Sequence, residues 1–569
     1  MNFLDAVRDA VRDADPGSGV HFLSPGRPEV FLSYDRFLRT SALLGRKLPE
    51  DRVVVIAADD QLPTLQAFFA ALWAGGRPLI LPSPRALGGE EAFRRHIERT
   101  LAMFPPGQAV LALQEGLTET EFPDPVVMLP READRYDALD FLPAAAGPGG
   151  DAVAFLQATS ASTGDSKLLA VSHANVCANL RALYVSLHAG HDDRVVSWLP
   201  LFHDMGLVGM GLLSFFHAWP LYMMKPTDFI VRPHLWAQAL STYRGTITAA
   251  PNFGYDHAHR AVDPGELEGC DLSALRCAVI GAEPIRLTTM AGFHRAYTPY
   301  GLRDGSLIPS YGMAESTLAS SMWTPGETPR YVVVDPVGLE SGASLRLLGE
   351  GLLGEEPPAG PGIPVFSVGR ALDGLTVTLI DEESRPVEAE GVLGEIILRG
   401  TSVALGRLDP ATGSPEPFPE GLPTGDLGFW HRDELFVLER RKHVIIRQGR
   451  NHLATLLEEQ VSRILDHPAH EIIVFEADIH DPASDITALV EHDGGAHELT
   501  AHQARQLRLL DLPVDVVLFA RRRVIPRTTS GKKRYHTTRQ RLSDGSLKAE
   551  RTLRTLLEPT APHGPSHRE

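Results

Sequence analysis

The strongest constraint on the fold is a unit that recurs through the first half of the sequence: an apolar run, a segment of helical spacing, then another apolar run. Val53-Val54-Val55-Ile56-Ala57 reads as a strand buried on both faces, residues 62–74 as a helix, and Arg77-Pro78-Leu79-Ile80-Leu81-Pro82 as the next strand. That order implies parallel neighbours joined by right-handed crossovers. A further apolar run lies at 152–156, and those at 195–200, 246–250 and 278–281 end in small or polar residues. In sheets of this kind, ligand groups gather beyond the carboxyl ends of the strands.

At 569 residues the chain exceeds one ordinary domain, so two or more units are expected. Hydrophobic residues make up 43% and charged residues 22%, with no apolar run of roughly 18 residues, which fits a globular chain without a membrane span. The N-terminus carries acids early and lacks the apolar core of a secretory signal. Cys177, Cys270 and Cys277 have no metal-like spacing and read as free thiols of a cytoplasmic protein. A net charge of -18 argues against nucleic acid as a partner. Of the 54 basic residues only seven are lysine: Lys47, Lys167, Lys225, Lys442, Lys532, Lys533 and Lys548. In so arginine-rich a chain, each lysine raises the question of whether a compact ammonium is needed there.

Residues 324–367 shift to Pro, Gly and Glu, as an exposed insertion or linker would. Beyond them, 375–380 and 394–399 read as strands of a smaller sheet unit. The charged run Glu439-Arg440-Arg441-Lys442-His443 marks a boundary, giving an N-terminal domain over 1–440 and a C-terminal one over 441–569 with a Pro/His-rich tail expected to be disordered. The expected fold is α/β: a large N-terminal domain of parallel-rich sheets with flanking helices plus a small β-barrel-like subdomain, followed by a small mobile α+β C-terminal domain.

Five stretches carry polar chemistry. Residues 157–167 (Gln-Ala-Thr-Ser-Ala-Ser-Thr-Gly-Asp-Ser-Lys) lie between a strand and a helix that begins after Ser172 as N-cap. Hydroxyls, one glycine and a lysine suit a phosphate-binding loop, although the spacing is not that of a P-loop and a solvated loop is the plainer alternative. Leu199-Pro200-Leu201-Phe202-His203-Asp204-Met205-Gly206 places a His-Asp pair after a strand; such pairs are often only a satisfied loop contact. Ser310-Tyr311-Gly312-Met313-Ala314-Glu315 offers an aromatic face for a base and a carboxylate for Mg²⁺. Thr424-Gly425-Asp426 puts an acid in a tight turn, able to accept two ribose hydroxyls. Thr528-Thr529-Ser530-Gly531-Lys532-Lys533 is a basic loop near the C-terminus.

Each motif alone has a bland explanation; together, in this order, they are hard to dismiss. The arrangement resembles the adenylate-forming superfamily of acyl ligases, luciferases and peptide-synthetase adenylation domains over almost the whole chain, and is most similar to the fatty acyl-AMP ligases. The likeness extends to residues 198–209, 250–256 and the turn Gly281-Ala282-Glu283-Pro284. It implies ATP- and Mg²⁺-dependent activation of a carboxylic acid, with a fatty acid expected, to acyl-AMP. Acyl transfer to the phosphopantetheine thiol of an acyl carrier protein, or of a polyketide or peptide synthetase carrier domain supplied in trans, would follow. An acyl-CoA ligase and a catalytically weakened adenylate-binding protein are the alternatives. The extra length within 324–367 is similar to the insertion of acyl-AMP ligases that do not use CoA.

Carried over by resemblance, Thr159, Ser160, Ser162, Thr163, Gly164 and Lys167 would hold the β- and γ-phosphates. Gly281, Ala282, Glu283 and Pro284 with Tyr311, Gly312, Met313 and Ala314 would line the adenine pocket. Glu315 and Thr163 would meet Mg²⁺, and Asp426 and Arg440 the ribose. Lys442 matches the hinge between domains, and Lys532 the lysine that bridges carboxylate and α-phosphate. His203 would stand at the acyl carboxylate, and Met205, Gly206, Asn252 and Gly254 in the acyl pocket. The chain departs from the family pattern at Ala161, Ser166 and Leu168, at Ile280, and at Glu439 and His443, where a glycine and an aspartate are usual.

Overall fold

Alternation within the first strand explains the layering that follows. In Val53–Ala57 every side chain is buried, with Val54 and Ile56 in one apolar cluster and Val53, Val55 and Ala57 in another. A strand apolar on both faces must be covered on both, and it is. The computed structural model describes residues 1–555 apart from 119–121, 123–124, 132–137, 141, 143–148, 160–166, 337–338, 359, 361, 410–411, 419, 448–449, 480, 482–483, 495–497 and 529–530.

Val53–Ala57 lies within an eight-stranded sheet, parallel to Arg77–Ile80 and Ala109–Gln114, with the helix Gln61–Trp73 crossing between the first two. One side of the sheet packs on Glu90–Leu101 through Phe93, Ile97 and Leu101. The other side shares a single large core with a nine-stranded sheet. In that sheet Leu307–Gly312, Cys277–Ile280, Ile247–Ala250, Val195–Ser197, Leu221–Met224 and Gly19–Leu23 run parallel in this order. Phe69, fully buried, touches the rings of Phe37 and Phe215 at centroid distances of 5.7 and 4.5 Å and ties three helices to this core.

The strand expected over 195–200 stops at Ser197, whose Oγ accepts the Leu199 N–H at 3.1 Å and draws the chain out of the sheet. The segment 324–367, expected as an exposed insertion or linker, is a three-stranded antiparallel sheet of Leu347–Leu352, Arg330–Val334 and Ile363–Phe366. Its central run Tyr331-Val332-Val333-Val334 is at most 1% exposed. Four residues of high strand propensity outweigh the flanking Pro and Gly once Val332 and Val334 pack on Phe429, Phe436 and Leu438 and Tyr331 and Val333 join the large core on the other face.

Leu375–Ile380, Gly394–Gly400, Leu422–His431 and Glu434–Arg440 form an antiparallel four-stranded sheet. After it, Val444–Arg447 pairs with Arg450–Leu453 and leads into the helix Ala454–Leu465. A last sheet of Ile472–Glu476, Ile486–His492, Val516–Arg521 and Arg551–Arg554 has its own apolar core with Leu457, Val461 and Leu507. The Pro/His-rich tail lies outside the described residues. Among the described residues no helix is long and apolar enough to cross a membrane.

Candidate functional site

The strands Val195–Ser197, Cys277–Ile280 and Leu307–Gly312 all deliver their carboxyl ends to one cavity of about 1740 Å³, closed on another side by residues of the C-terminal unit. Thr159, Lys167, His203, Met205, Gly206, Ala282, Glu283, Pro284, Tyr311, Gly312, Met313, Ala314, Glu315, Asp426, Arg440, Lys442 and Lys532 line it. These come from segments as far apart as residues 159 and 532, so the fold brings together most of what the motifs proposed.

At one end of the cavity, Val153–Thr159 pairs antiparallel with Lys167–Ser172, and Thr159 faces Lys167 as the last rung. The Thr159 hydroxyl donates to the Lys167 carbonyl at 3.3 Å. Ser160, Ser162, Thr163 and Gly164, and the departures Ala161 and Ser166, lie outside the described residues. Leu168 is 3% exposed and packs with Leu79, Leu111 and Leu156, so its side chain serves the core beneath the sheet. Ser172 caps the helix His173–Ser186 in a reciprocal capping box with Asn175.

The turn after Cys277–Ile280 is tight. A Cβ at Gly281 would lie 2.7 Å from the Ser310 carbonyl oxygen, and Ala282 takes φ of 72°, a left-handed conformation that costs an alanine about 1 kcal/mol. Asn252, expected in the acyl pocket, does not line the cavity. Fully buried, it donates to the Pro284 carbonyl at 2.7 Å and accepts the Arg286 N–H at 3.1 Å, bracing this turn from behind. Gly254 is also out of the lining; a Cβ there would meet the Trp198 ring at 2.6 Å, so it serves close packing. Gly281 stands behind the wall for the same reason.

Asp426 does not sit in a tight turn as its motif suggests. It lies within the long strand Leu422–His431, in register with Arg440 on Glu434–Arg440, because Leu422, Leu427 and Phe429 have apolar clusters to fill. Its 5%-exposed carboxylate accepts the Tyr311 hydroxyl at 2.7 Å and Arg440 Nε at 2.9 Å. Burial and the adjacent carboxylate hold the Tyr311 phenol well above its ordinary range, and Asp426 raises the Arg440 guanidinium. Tyr311 is thereby fixed with its ring against the cavity, and Asp426 retains lone pairs for further donors.

Three cations converge here. Burial, then repulsion from Arg440, lowers the Lys532 ammonium; burial and the same arginine lower Lys442 to about 8. Lys442 is exposed as a whole residue, so the burial falls on its ammonium, crowded by Arg440 and Lys532. Asp204, Asp426, Glu283 and Glu315 pull the other way. Cations packed closely enough to disfavour one another's charge form a site that an anion would relieve. Lys532 is reached through Thr528, whose hydroxyl accepts the Lys532 N–H at 3.1 Å.

Glu315 is held by its own backbone: its carbonyl accepts the Ala404 N–H at 2.9 Å. Two residues on, Thr317 takes φ of 70° with ψ of -52°, a strained turn for a β-branched residue, anchored by its hydroxyl on the Ser402 carbonyl at 2.6 Å. This turn sends Glu315 to the cation cluster and Leu318 into an apolar wall.

That wall runs along Met205–Leu212, a buried π-helix. Asp204 caps it by accepting the Met205 N–H at 2.8 Å, and burial pushes the Asp204 carboxyl up against the pull of Lys532. A Cβ at Gly206 would run into the Pro200 carbonyl, and one at Gly209 would lie 2.9 Å from Leu318 Cδ2. Beyond Gly209 the cavity is lined by Met210, Leu213, Leu183, Leu187 and Met322. His203 lines the cavity next to this apolar arm, its ring 4.6 Å from that of Phe202. Sequence reasoning noted Asp204 only as half of a His-Asp pair and missed Gly209 and Leu318 as wall residues; the signal for the wall was the Gly-x-x-Gly spacing of 206 and 209 in an apolar run.

Residues 33–407 match the protein family described as AMP-binding enzyme. The chain is 38% identical to the putative ligase Rv1013 of Mycobacterium tuberculosis over 56% of this chain, and spans 57% of that relative's length. It is 30% identical to the long-chain-fatty-acid–AMP ligase FadD26 of Mycobacterium marinum, over 89% of this chain and 90% of that one. A solved structure from a study of fatty acyl-adenylate ligases of E. coli and L. pneumophila superposes with a TM-score of 0.79 at 26% identity, covering 96% of this chain and 98% of the other.

Proposed function

Because the chain belongs to the AMP-binding enzyme family, we propose that it activates a fatty acid with ATP to an acyl-adenylate and then passes the acyl group to the phosphopantetheine thiol of a separate carrier protein. The observation that carries this reading is the trio Arg440, Lys442 and Lys532 beside the Tyr311–Asp426–Arg440 network, with an apolar arm leading away from the same place.

The chemistry follows from that placement. In the first step a carboxylate oxygen attacks the α-phosphorus, the bond to the β-phosphate oxygen breaks, and pyrophosphate leaves. Two anions must approach, so charge has to be offset where it accumulates in the transition state. Lys532 would bridge the carboxylate and α-phosphate, Asp426 would accept ribose hydroxyls, and the Tyr311 face would meet the adenine. Lys167 and the hydroxyls of 159–163 would hold the β- and γ-phosphates. In the second step a thiolate attacks the acyl carbon, a C–S bond forms, and AMP departs with the C–O electron pair.

Mg²⁺ would enter with ATP, held by Glu315, with Thr163 as the second candidate. A single hard carboxylate beside phosphate oxygens fits how Mg²⁺ is commonly bound. Among the described residues no group of three or more His, Cys, Asp or Glu is arranged for a metal, which fits an ion held mainly by phosphate and water. When bound, the ion would neutralise charge on the leaving pyrophosphate.

Pyrophosphate release from purified protein with Mg-ATP and a panel of fatty and aryl acids tests the first step: fatty acids should give acid-dependent release. No release with any acid would overturn the reading. Mass analysis after adding CoA or pantetheine to the preformed adenylate tests the second, with thioester expected on pantetheine; preferential loading of CoA would make the enzyme an acyl-CoA ligase.

A further inference from the structure

We infer that Glu439 and His443, the two residues flanking Lys442 that depart from the family pattern, form a clasp holding the chain in the orientation that places Lys532 in the cavity, and so set the balance between the two half-reactions. The inference rests on the two-step reading above and on the hinge role that the resemblance implies for Lys442, about which the C-terminal unit would turn between adenylation and transfer.

Glu439 ends a strand of the N-terminal unit and is 3% exposed. Its Oε1 accepts the Arg440 N–H at 2.9 Å and meets His443 Nδ1 at 3.3 Å; its Oε2 accepts the Thr455 N–H at 3.0 Å. Thr455 is the second residue of the helix Ala454–Leu465, whose own N-cap, Leu453, has no side chain to offer. The acceptor for that helix start is therefore supplied from the other side of Lys442. The His443 ring packs at a tilt of 30° against Tyr535 with ring centroids 4.3 Å apart, and the Tyr535 hydroxyl donates to Glu458 at 2.8 Å. Glu458 also pairs with Lys533, the neighbour of Lys532. A continuous line of contacts thus joins the segment around Lys442 to the loop that carries Lys532.

Rotation about Lys442 would move Thr455, His443 and Tyr535 together while Glu439 stays with its strand. The carboxylate, buried in this orientation, would lose the Thr455 N–H and its pairing with His443. A glycine at 439 would carry no such cost, so the clasp belongs to this chain and favours the adenylating orientation over the one needed for transfer.

The test compares Glu439→Gln, which keeps shape without charge, and His443→Phe, which keeps a ring on Tyr535. Adenylate formation from dodecanoate and adenylate consumption by pantetheine are measured in single turnover. The ratio of transfer to adenylation should rise roughly tenfold or more in both variants, a typical coupling between states. Equal changes in both rates, or a falling ratio, would overturn the clasp; should Glu439→Gln fail to fold, His443→Phe decides. Energy transfer between dyes at Val231→Cys and Leu509→Cys, 74% and 73% exposed, in a Cys270→Ser background gives a readout independent of activity. The clasp predicts a shifted or broadened distance distribution in both variants, and an unchanged one contradicts it. If the wild type forms no adenylate while the distances do shift, the functional reading fails and the clasp stands.

Discussion

Lys442 is the residue whose surroundings speak most directly to ligand chemistry. With its ammonium lowered to about 8 in the ligand-free protein, a bound polyanion should raise it towards the ordinary 10.5. Between those values, nucleotide binding then takes up a proton. Calorimetry at pH 8.5 to 9 in buffers of different ionisation enthalpy should show that uptake, and Lys442→Arg should abolish it. The sign for stability is opposite. Below pH 8 the folded state carries a charge it disfavours, and the penalty fades as pH rises from 8 towards 10.5. Lys442→Met should therefore stabilise the ligand-free protein more at pH 7 than at pH 9.5, measured as a difference in Tm.

Gly209 makes a second residue-scale prediction. It lies six residues beyond His203, at most roughly 9 Å along the helix at ~1.5 Å per residue, so a short acid ends before it while a long chain must pass. Gly209→Val fills the space against Leu318 and should cut the ratio of hexadecanoate to butanoate adenylation by roughly 10²-fold, a loss of about 3 kcal/mol of chain burial. An unchanged ratio in competition assays would place the chain elsewhere.

At the scale of elements, legibility followed burial. Strands apolar on both faces, such as Val53–Ala57, could be read to the residue because nothing competes with β structure in such a run. The helix His173–Ser186 was legible from its cap, and Ser172→Ala should cost about 1 kcal/mol in chemical denaturation because the Asn175 N–H loses its acceptor. What escaped was set by partners far away in sequence. Arg330–Val334 is a strand because Phe429 and Phe436 wait to cover it, and Asp426 extends a strand because Arg440 lies opposite. The π-helix has no local signature at all: its extra width is imposed where Gly206 passes under Pro200. The motifs that hold polar groups at strand ends were legible; the residues that brace them, such as Asn252, were not, since their partners are backbone atoms of another segment.

The large core and the C-terminal core lie to either side of one cavity lined by Arg440, Lys442 and Lys532. The large core is cross-linked by aromatic contacts, and Phe69→Ala should cost 3–5 kcal/mol and lower the unfolding midpoint without moving the cavity's charges. The C-terminal unit has its own core and meets the other through Leu453 and Leu456 packed with Phe429, Phe436 and Leu438, through Glu439 on Thr455, and through Arg286 with Glu459 at 3.0 Å. Such an arrangement lets a catalytic group arrive and depart with a domain. On the proposed reading, Lys532 is the group that would arrive. The most direct measurement is therefore ATP–pyrophosphate exchange with dodecanoate in Lys532→Ala beside wild type, both with the same Tm. A fall in kcat of roughly 10² or more, with KM for ATP little changed, is the result expected if this ammonium stabilises charge in the transition state; exchange at the wild-type rate would contradict the account.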